Sequence, residues 1–135
     1  MLSRNVAVLV LYNEKREILL QHRSADAARL PNHWAFFGGG IEGKETPEEA
    51  LSREIREELE YTVRTPRLVL TQEIPGYADS VKYVFVEAYD PTQPLILHEG
   101  QGMKWWRFED LAGLPIVDHD RTALRKVGEV LQVLC

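Results

Sequence analysis

Three consecutive glycines, Gly38 to Gly40, close a short apolar run, and a sharply punctuated helix begins a few residues later. At three neighbouring positions without side chains the backbone must turn tightly or let another group approach closely. The segment Thr46-Pro47-Glu48-Glu49 is a capping box, with Thr46 at the N-cap, Pro47 at N1 and Glu49 at N3. Good helix formers continue to about Leu59. Strand, glycine loop and helix therefore follow one another within about two dozen residues, and the rest of the chain has to pack around that unit.

Val6 to Tyr12 and Ile18 to Arg23 read as strands, with Asn13-Glu14-Lys15 as the turn between them. A polar stretch from Ser24 to His33 reads as a loop leading into Trp34-Ala35-Phe36-Phe37, a short apolar strand. Val63 to Ile74, Lys82 to Tyr89 and Met103 to Phe108 read as further strands, separated by Pro75-Gly76 and Asp90-Pro91. A second helix is expected from about Asp118, as N-cap, to Leu131 or beyond; Leu124, Val127, Val130, Leu131 and Leu134 supply its apolar stripe. Strands outnumber helices and the two helices lie far apart, so the expected class is α/β of the α+β kind. The sheet should be mixed or mainly antiparallel, with a helix on each face.

Length and composition narrow the function. The 135 residues fit one domain over 1–135. Apolar residues at 44% supply a core, and charged residues at 27% are ordinary for a soluble globule. A net charge of -5 argues against nonspecific nucleic-acid binding, which relies on clustered Lys and Arg. The only cysteine, Cys135, leaves no internal disulfide and suits a reducing cytoplasm. The run from Val6 to Tyr12 is too short to span a bilayer, so no membrane role is expected.

The first helix carries Glu54, Glu57 and Glu58, at i, i+3 and i+4, so three carboxylates leave one side of it. Like charges so spaced cost a few tenths of a kcal/mol per pair. They also sit near the helix C-terminus, where the macrodipole disfavours anions. Two local rules are broken together, which is how functional sites tend to look. A hard divalent cation with oxygen ligands would remove both penalties. Taken alone, such a trio is more often a solvated face, and Arg53 and Arg56 can neutralise it.

The surroundings alter that balance. From Gly39 to Tyr61 the chain reads GGIEGKETPEEALSREIREELEY, which closely resembles the Nudix box. Gly39, Glu45, Arg53, Glu54, Ile55, Glu57 and Glu58 are in register with the pattern. Six specified polar or glycine matches at roughly 7% frequency each have a chance on the order of 1 in 10 million. Glu60 replaces the glycine that normally ends the helix, and Tyr61 replaces the final aliphatic residue. A left-handed Glu60 would cost about 1 kcal/mol.

The resemblance implies a Nudix-type α/β/α sandwich and a Mg2+-dependent hydrolase, with Mn2+ as a possible substitute. Its substrate would be a small nucleotide whose diphosphate bond is cut. Glu54, Glu57 and Glu58 would bind the cations and the carbonyl of Gly38 would complete the shell. Arg53 would orient a box carboxylate, and Glu45 would help fix the loop. Bound cations would reconcile an acidic protein with an anionic substrate. The general base varies within the family. Glu57 is one choice, and Glu99, in the turn-rich segment Leu97 to Gly102, resembles the late-loop glutamate of MutT-type members; Glu73 is a weaker rival.

Arg23 is a candidate for a substrate phosphate and Trp34 for stacking on a base. Trp105 and Trp106 alternate across a strand, so one should face in and the other out. His22, His33, His98 and His119 lack zinc-like spacing. The leading reading is a MutT-type nucleoside triphosphate pyrophosphohydrolase. An ADP-ribose or nucleotide-sugar diphosphatase is the alternative, for which Ile74-Pro75-Gly76-Tyr77 is a faint sign; the plainer reading of Pro75-Gly76 is a hairpin turn. A non-catalytic nucleotide-binding Nudix module is the alternative of a different class, but it would often lack box carboxylates.

Overall fold

In the computed structural model, residues 4–76 and 79–134 are described. Tyr77, Cys135 and the side chain of Leu134 fall outside them. The elements are β1 (Val6–Tyr12), β2 (Ile18–His22), β3 (Trp34–Ala35), β4 (Phe37–Gly40), α1 (Pro47–Leu59), β5 (Arg67–Glu73), β6 (Val81–Ala88), β7 (Gly102–Trp106) and α2 (Asp118–Leu134). A single 3-10 turn covers Phe108–Asp110.

Strand β1 organises the sheet. Along one edge it runs parallel to β6 from Val6 opposite Lys82 to Tyr12 opposite Ala88. Along the other it pairs antiparallel with β4, Val6 opposite Gly40 to Leu9 opposite Phe37, and then meets β2 where Tyr12 faces Ile18. The remaining pairings, β2 with β3, β2 with β7 and β5 with β6, are antiparallel. One parallel pairing among antiparallel ones is the expected mixed sheet.

A helix covers each face, as expected. Ala7, Leu9, Leu11 and Phe85 pack under Leu51, Ile55 and Leu59 of α1. Val8, Val10, Val84 and Val86 pack under Leu124, Val127 and Leu131 of α2. Successive strand residues point to opposite faces, so burial on both sides explains why β1 reads as an unbroken apolar run.

The first helix begins and ends where its sequence says. Thr46 accepts from the Glu49 N–H at 3.1 Å, and the Glu49 side chain accepts from the Thr46 N–H at 2.8 Å. At the other end Glu60 is left-handed, with φ 53°, and its N–H donates to the Arg56 carbonyl. Glu60 thus does take the strained conformation. Ile55 and Leu59 are completely buried, and each such side chain contributes about 1.5–3 kcal/mol. That outweighs the few tenths lost to each glutamate pair.

Four expectations need correction. The strand expected over Trp34 to Phe37 is broken at Phe36 into β3 and β4, and β4 continues through the glycines. The glycines therefore serve close approach rather than a turn: a Cβ on Gly38, at φ 138°, would sit 2.2 Å from the Ala7 carbonyl oxygen. Strand β5 starts at Arg67, not Val63, because Pro66 lacks an N–H and the N–H groups of Arg64 and Thr65 donate instead to the buried Glu87 carboxylate. Asp118 is the first residue of α2 rather than its cap, since the Val117 carbonyl already accepts from the Arg121 N–H. Trp105 and Trp106 are both half-buried, one against each core, so neither is simply outward. Pro75-Gly76 is a turn between antiparallel β5 and β6, with Gly76 at φ 86°.

Candidate active site

Arg53 ties the glycine strand to the helix. Its guanidinium grips Glu45 with two hydrogen bonds, from Nε at 2.8 Å and Nη2 at 2.9 Å. Nη1 donates to Glu54 at 2.9 Å, and Nη2 also donates to the Gly40 carbonyl at 3.0 Å. Two-pronged charge-assisted bonds of this kind fix direction as well as distance. They hold the Glu45 carboxyl down at about 2 and raise the Arg53 guanidinium above its already high value. Gly39 completes the arrangement, because a Cβ there would fall 2.5 Å from the Glu54 carboxyl carbon. Backbone and carboxylate meet where only glycine leaves room.

Glu58 is the buried member of the trio, only 5% exposed. One oxygen accepts from the Gly38 N–H at 2.9 Å. Burial first, and then the carboxyls of Glu99 and Glu54 beside it, push Glu58 up to about 10 against the lowering effect of that N–H. Glu99 reaches this place because its loop is pinned to the end of α1: the N–H groups of Ile96 and His98 donate to the carbonyls of Leu59 and Glu58 at 3.0 and 2.8 Å. Glu54, Glu58 and Glu99 thus come together from positions up to 45 residues apart. Glu57 is 61% exposed and sits 3.8 Å from Arg53.

Comparison with known proteins places this geometry. The family model described as the NUDIX domain matches residues 1–127. The chain belongs to the Nudix family. It is similar to the nucleoside triphosphatase NudI of Escherichia coli O139:H28, 30% identical over 145 aligned positions that cover 95% of this chain and 99% of that protein. It is also similar to the 8-oxo-dGTP diphosphatase of Escherichia coli K12, 46% identical over 57 residues. That alignment spans 42% of this chain and 43% of the relative. Among solved structures, the MutT protein of Methanosarcina mazei Go1 superposes with a TM-score of 0.78 at 22% identity, over 95% of both chains, and shares the fold. The chain is a Nudix hydrolase of the MutT type, a class that acts on phosphoric anhydride bonds.

The donor set of this Nudix site fits a hard divalent cation. A carboxylate as buried as Glu58, with two more against it and a single backbone N–H in return, is held at a cost that a cation would remove. Among the described residues, no three His, Cys, Asp or Glu side chains converge into a finished metal cage. Magnesium rarely has one, since it takes one or two carboxylates and fills its shell with water and substrate phosphates.

The two residues assigned to the substrate are placed less openly. Arg23 Nε donates to the Arg29 carbonyl at 2.9 Å, which folds its guanidinium against the loop after β2. Trp34 has one ring face covered by His22, parallel at 4.3 Å, and meets Trp106 edge to face at 5.0 Å. No helix among the described residues is long and apolar enough to cross a membrane.

Two groups of residues were not anticipated. Glu60 meets His98 Nε2 beside the carboxylate cluster. On the opposite face of the sheet, Lys82 is buried against Asp120, with His119 Nδ1 2.8 Å from its ammonium and the Phe36 ring centre 5.4 Å away. Lys82 and Gly40 both lie opposite Val6, so this polar cluster occupies the same end of the sheet as the Nudix glycines. A lysine near the start of a mostly apolar strand was the available signal; its partners lie at the start of the second helix.

Proposed function

We propose that this chain is a magnesium-dependent pyrophosphohydrolase of nucleoside triphosphates, with 1–135 acting as a single Nudix domain and 39–61 as its box. The observation that carries the reading is the convergence of Glu99 on Glu58 and Glu54, three carboxylates against which Arg53, paired with Glu54, is the one cation described in contact. Glu54, Glu57, Glu58, Glu99 and the Gly38 carbonyl are the groups that would hold magnesium, or manganese in its place. The bound ion would polarise the diphosphate oxygens, offset their charge and lower the pKa of the attacking water.

The protein's own groups do the rest. Arg53 keeps Glu54 in one orientation and locks the loop through Glu45, so the carboxylate need not reorganise when substrate arrives. Glu57, the solvent-facing member of the trio, and Glu99 are the two groups placed to take the proton from water as its oxygen bonds to phosphorus and the bridging P–O bond breaks. Arg23 is assigned to a substrate phosphate, and Trp34 to the base once His22 leaves its face. The similarity to NudI over nearly the whole of both chains supports a nucleoside triphosphate, and the lone cysteine suits a cytoplasmic setting. Pro75-Gly76 lies in a turn between β5 and β6, which favours the plainer reading of that dipeptide over the ADP-ribose one.

The test is product release from canonical and oxidised nucleoside triphosphates, ADP-ribose and nucleotide sugars, with magnesium and with EDTA. Magnesium-dependent turnover of a triphosphate, abolished in Glu57→Gln and Glu58→Gln, is the expected result. Faster turnover of ADP-ribose or a nucleotide sugar would replace the substrate, and tight nucleotide binding without turnover would replace the enzyme with a binding module.

A further inference from the structure

A cavity of about 600 Å3 lies between α2, the Phe108–Asp110 turn and the turn after β1. Its volume is in the range of small-molecule sites, roughly 300–1,000 Å3. None of the box residues lines it, nor does Glu99. Phe108 and aliphatic side chains of α2 form its apolar part. Gly128 lies beside the Phe108 ring, where a Cβ would come into ordinary van der Waals contact at 3.4 Å.

The charge around the opening runs against the rest of the molecule. The protein carries -5 overall, yet Arg16, Arg121 and Arg125 line this cavity against one carboxylate, Glu129. Arg121 is fixed in place by the carbonyls of Leu111 and Leu114, which neutralise none of its charge. Among the described residues, Arg16 and Arg125 make no ion pair and no side-chain hydrogen bond. Guanidinium groups present planar pairs of N–H donors that match a carboxylate or phosphate.

We propose that this cavity is a second binding site, distinct from the Nudix centre, for a small amphiphilic anion. The apolar body of the ligand lies along Phe108 and past Gly128. Its carboxylate or phosphate head is held by Arg16 and Arg125, with Arg121 as a fixed positive charge beneath. The same arrangement discriminates against a neutral molecule of equal apolar size, which leaves the guanidinium charges uncompensated.

Calorimetric titration of the full chain with decanoate, decyl phosphate and decanol, each below its aggregation limit, tests this. Saturable one-to-one binding of an anion, with decanol at least tenfold weaker, is the expected result; the tighter of the two anions identifies the head group. Arg125→Glu and Arg16→Asn should each weaken that binding at least tenfold while leaving nucleotide hydrolysis unchanged. Arg16 is left-handed at φ 61°, which asparagine tolerates. Both residues are exposed, so these variants remain decisive even where a bulkier Gly128→Leu fails to fold. Failure of both anions to bind, equal binding of anion and alcohol, or unchanged affinity in both arginine variants would overturn the proposal.

Discussion

The Glu60 carboxylate lies against Nε2 of His98, so the residue standing where the Nudix pattern has glycine is tied to the loop that carries Glu99. The left-handed backbone at Glu60 costs about 1 kcal/mol relative to glycine. In return the end of α1 and the late loop are joined by a side-chain contact as well as by two backbone hydrogen bonds. Glu60→Gly should therefore change unfolding free energy by no more than about 1 kcal/mol, because backbone relief and the lost contact oppose one another. Turnover should fall to the same extent in Glu60→Gly and His98→Ala, and the double variant should fall no further. Urea denaturation and steady-state kinetics on the four proteins check this; additive losses in the double variant would show the two residues acting separately.

Gly38 and Gly39 should respond to alanine in opposite ways. At Gly39 the added methyl meets the far end of the Glu54 side chain, which can swing aside, so the fold survives and the carboxylate is displaced. Gly39→Ala should lose about 10–100-fold in turnover, a loss of the size seen when groups that orient a metal ligand are removed, with little change in melting temperature. At Gly38 the methyl meets the backbone of β1, and φ is 138°. Gly38→Ala should unfold at markedly lower temperature, and circular dichroism melts distinguish the two outcomes.

The raised Glu58 carboxyl gives stability a direction with pH. In the folded protein it keeps its proton up to about 10, whereas its ordinary value is 4.5. A group raised on folding supports the fold fully below its unfolded pKa and loses that contribution as pH rises through its folded value. In EDTA the melting temperature should decline between about 4.5 and 10, and Glu58→Gln should flatten the decline. Magnesium should flatten it too, releasing the proton as it binds. Glu45 works the other way: held at about 2 by Arg53, it supports the fold above its ordinary 4.5 and loses that support as pH falls through about 2.

Lys82 and Asp120 form a pair buried on both sides, at 4% and 10% side-chain exposure. Removing one member of such a pair strands the other charge, at a cost of about 3–5 kcal/mol. Lys82→Met should destabilise by that amount, and Lys82→Met with Asp120→Leu should recover most of it. Chemical denaturation of the two variants measures the difference. Burial, followed by the neighbouring Lys82 ammonium, also pulls His119 below its ordinary value.

The parts of this molecule written in local chemistry could be read in advance. Thr46, Pro47 and Glu49 set the start of α1 through contacts three residues long, and the spacing of Glu54, Glu57 and Glu58 put them on one side. Glu99 was legible only through its resemblance to a late-loop glutamate, and the geometry brings it beside Glu58. What stayed hidden depends on partners remote in sequence. Glu87 satisfies the backbone of Arg64 and Thr65 from 23 and 22 residues away, which keeps that segment out of the sheet. The Lys82–Asp120 pair spans 38 residues. A break at Phe36 separates two strands with different neighbours, β3 on β2 and β4 on β1. No run of apolar letters announces a change of partner.

Strand β1 is made first and completed late. Its parallel neighbour begins opposite it at Val81–Lys82, and a parallel neighbour, unlike a hairpin, can be reached only through a long crossover. During synthesis at about 5–20 residues per second, an apolar strand therefore waits several seconds for the edge that covers it. Until then only the β2 and β4 pairings protect one side, and the open edge is a template for wrong partners. Closure of the β1–β6 loop is accordingly expected to limit folding speed, and variants that slow that closure should aggregate during expression while remaining stable once folded.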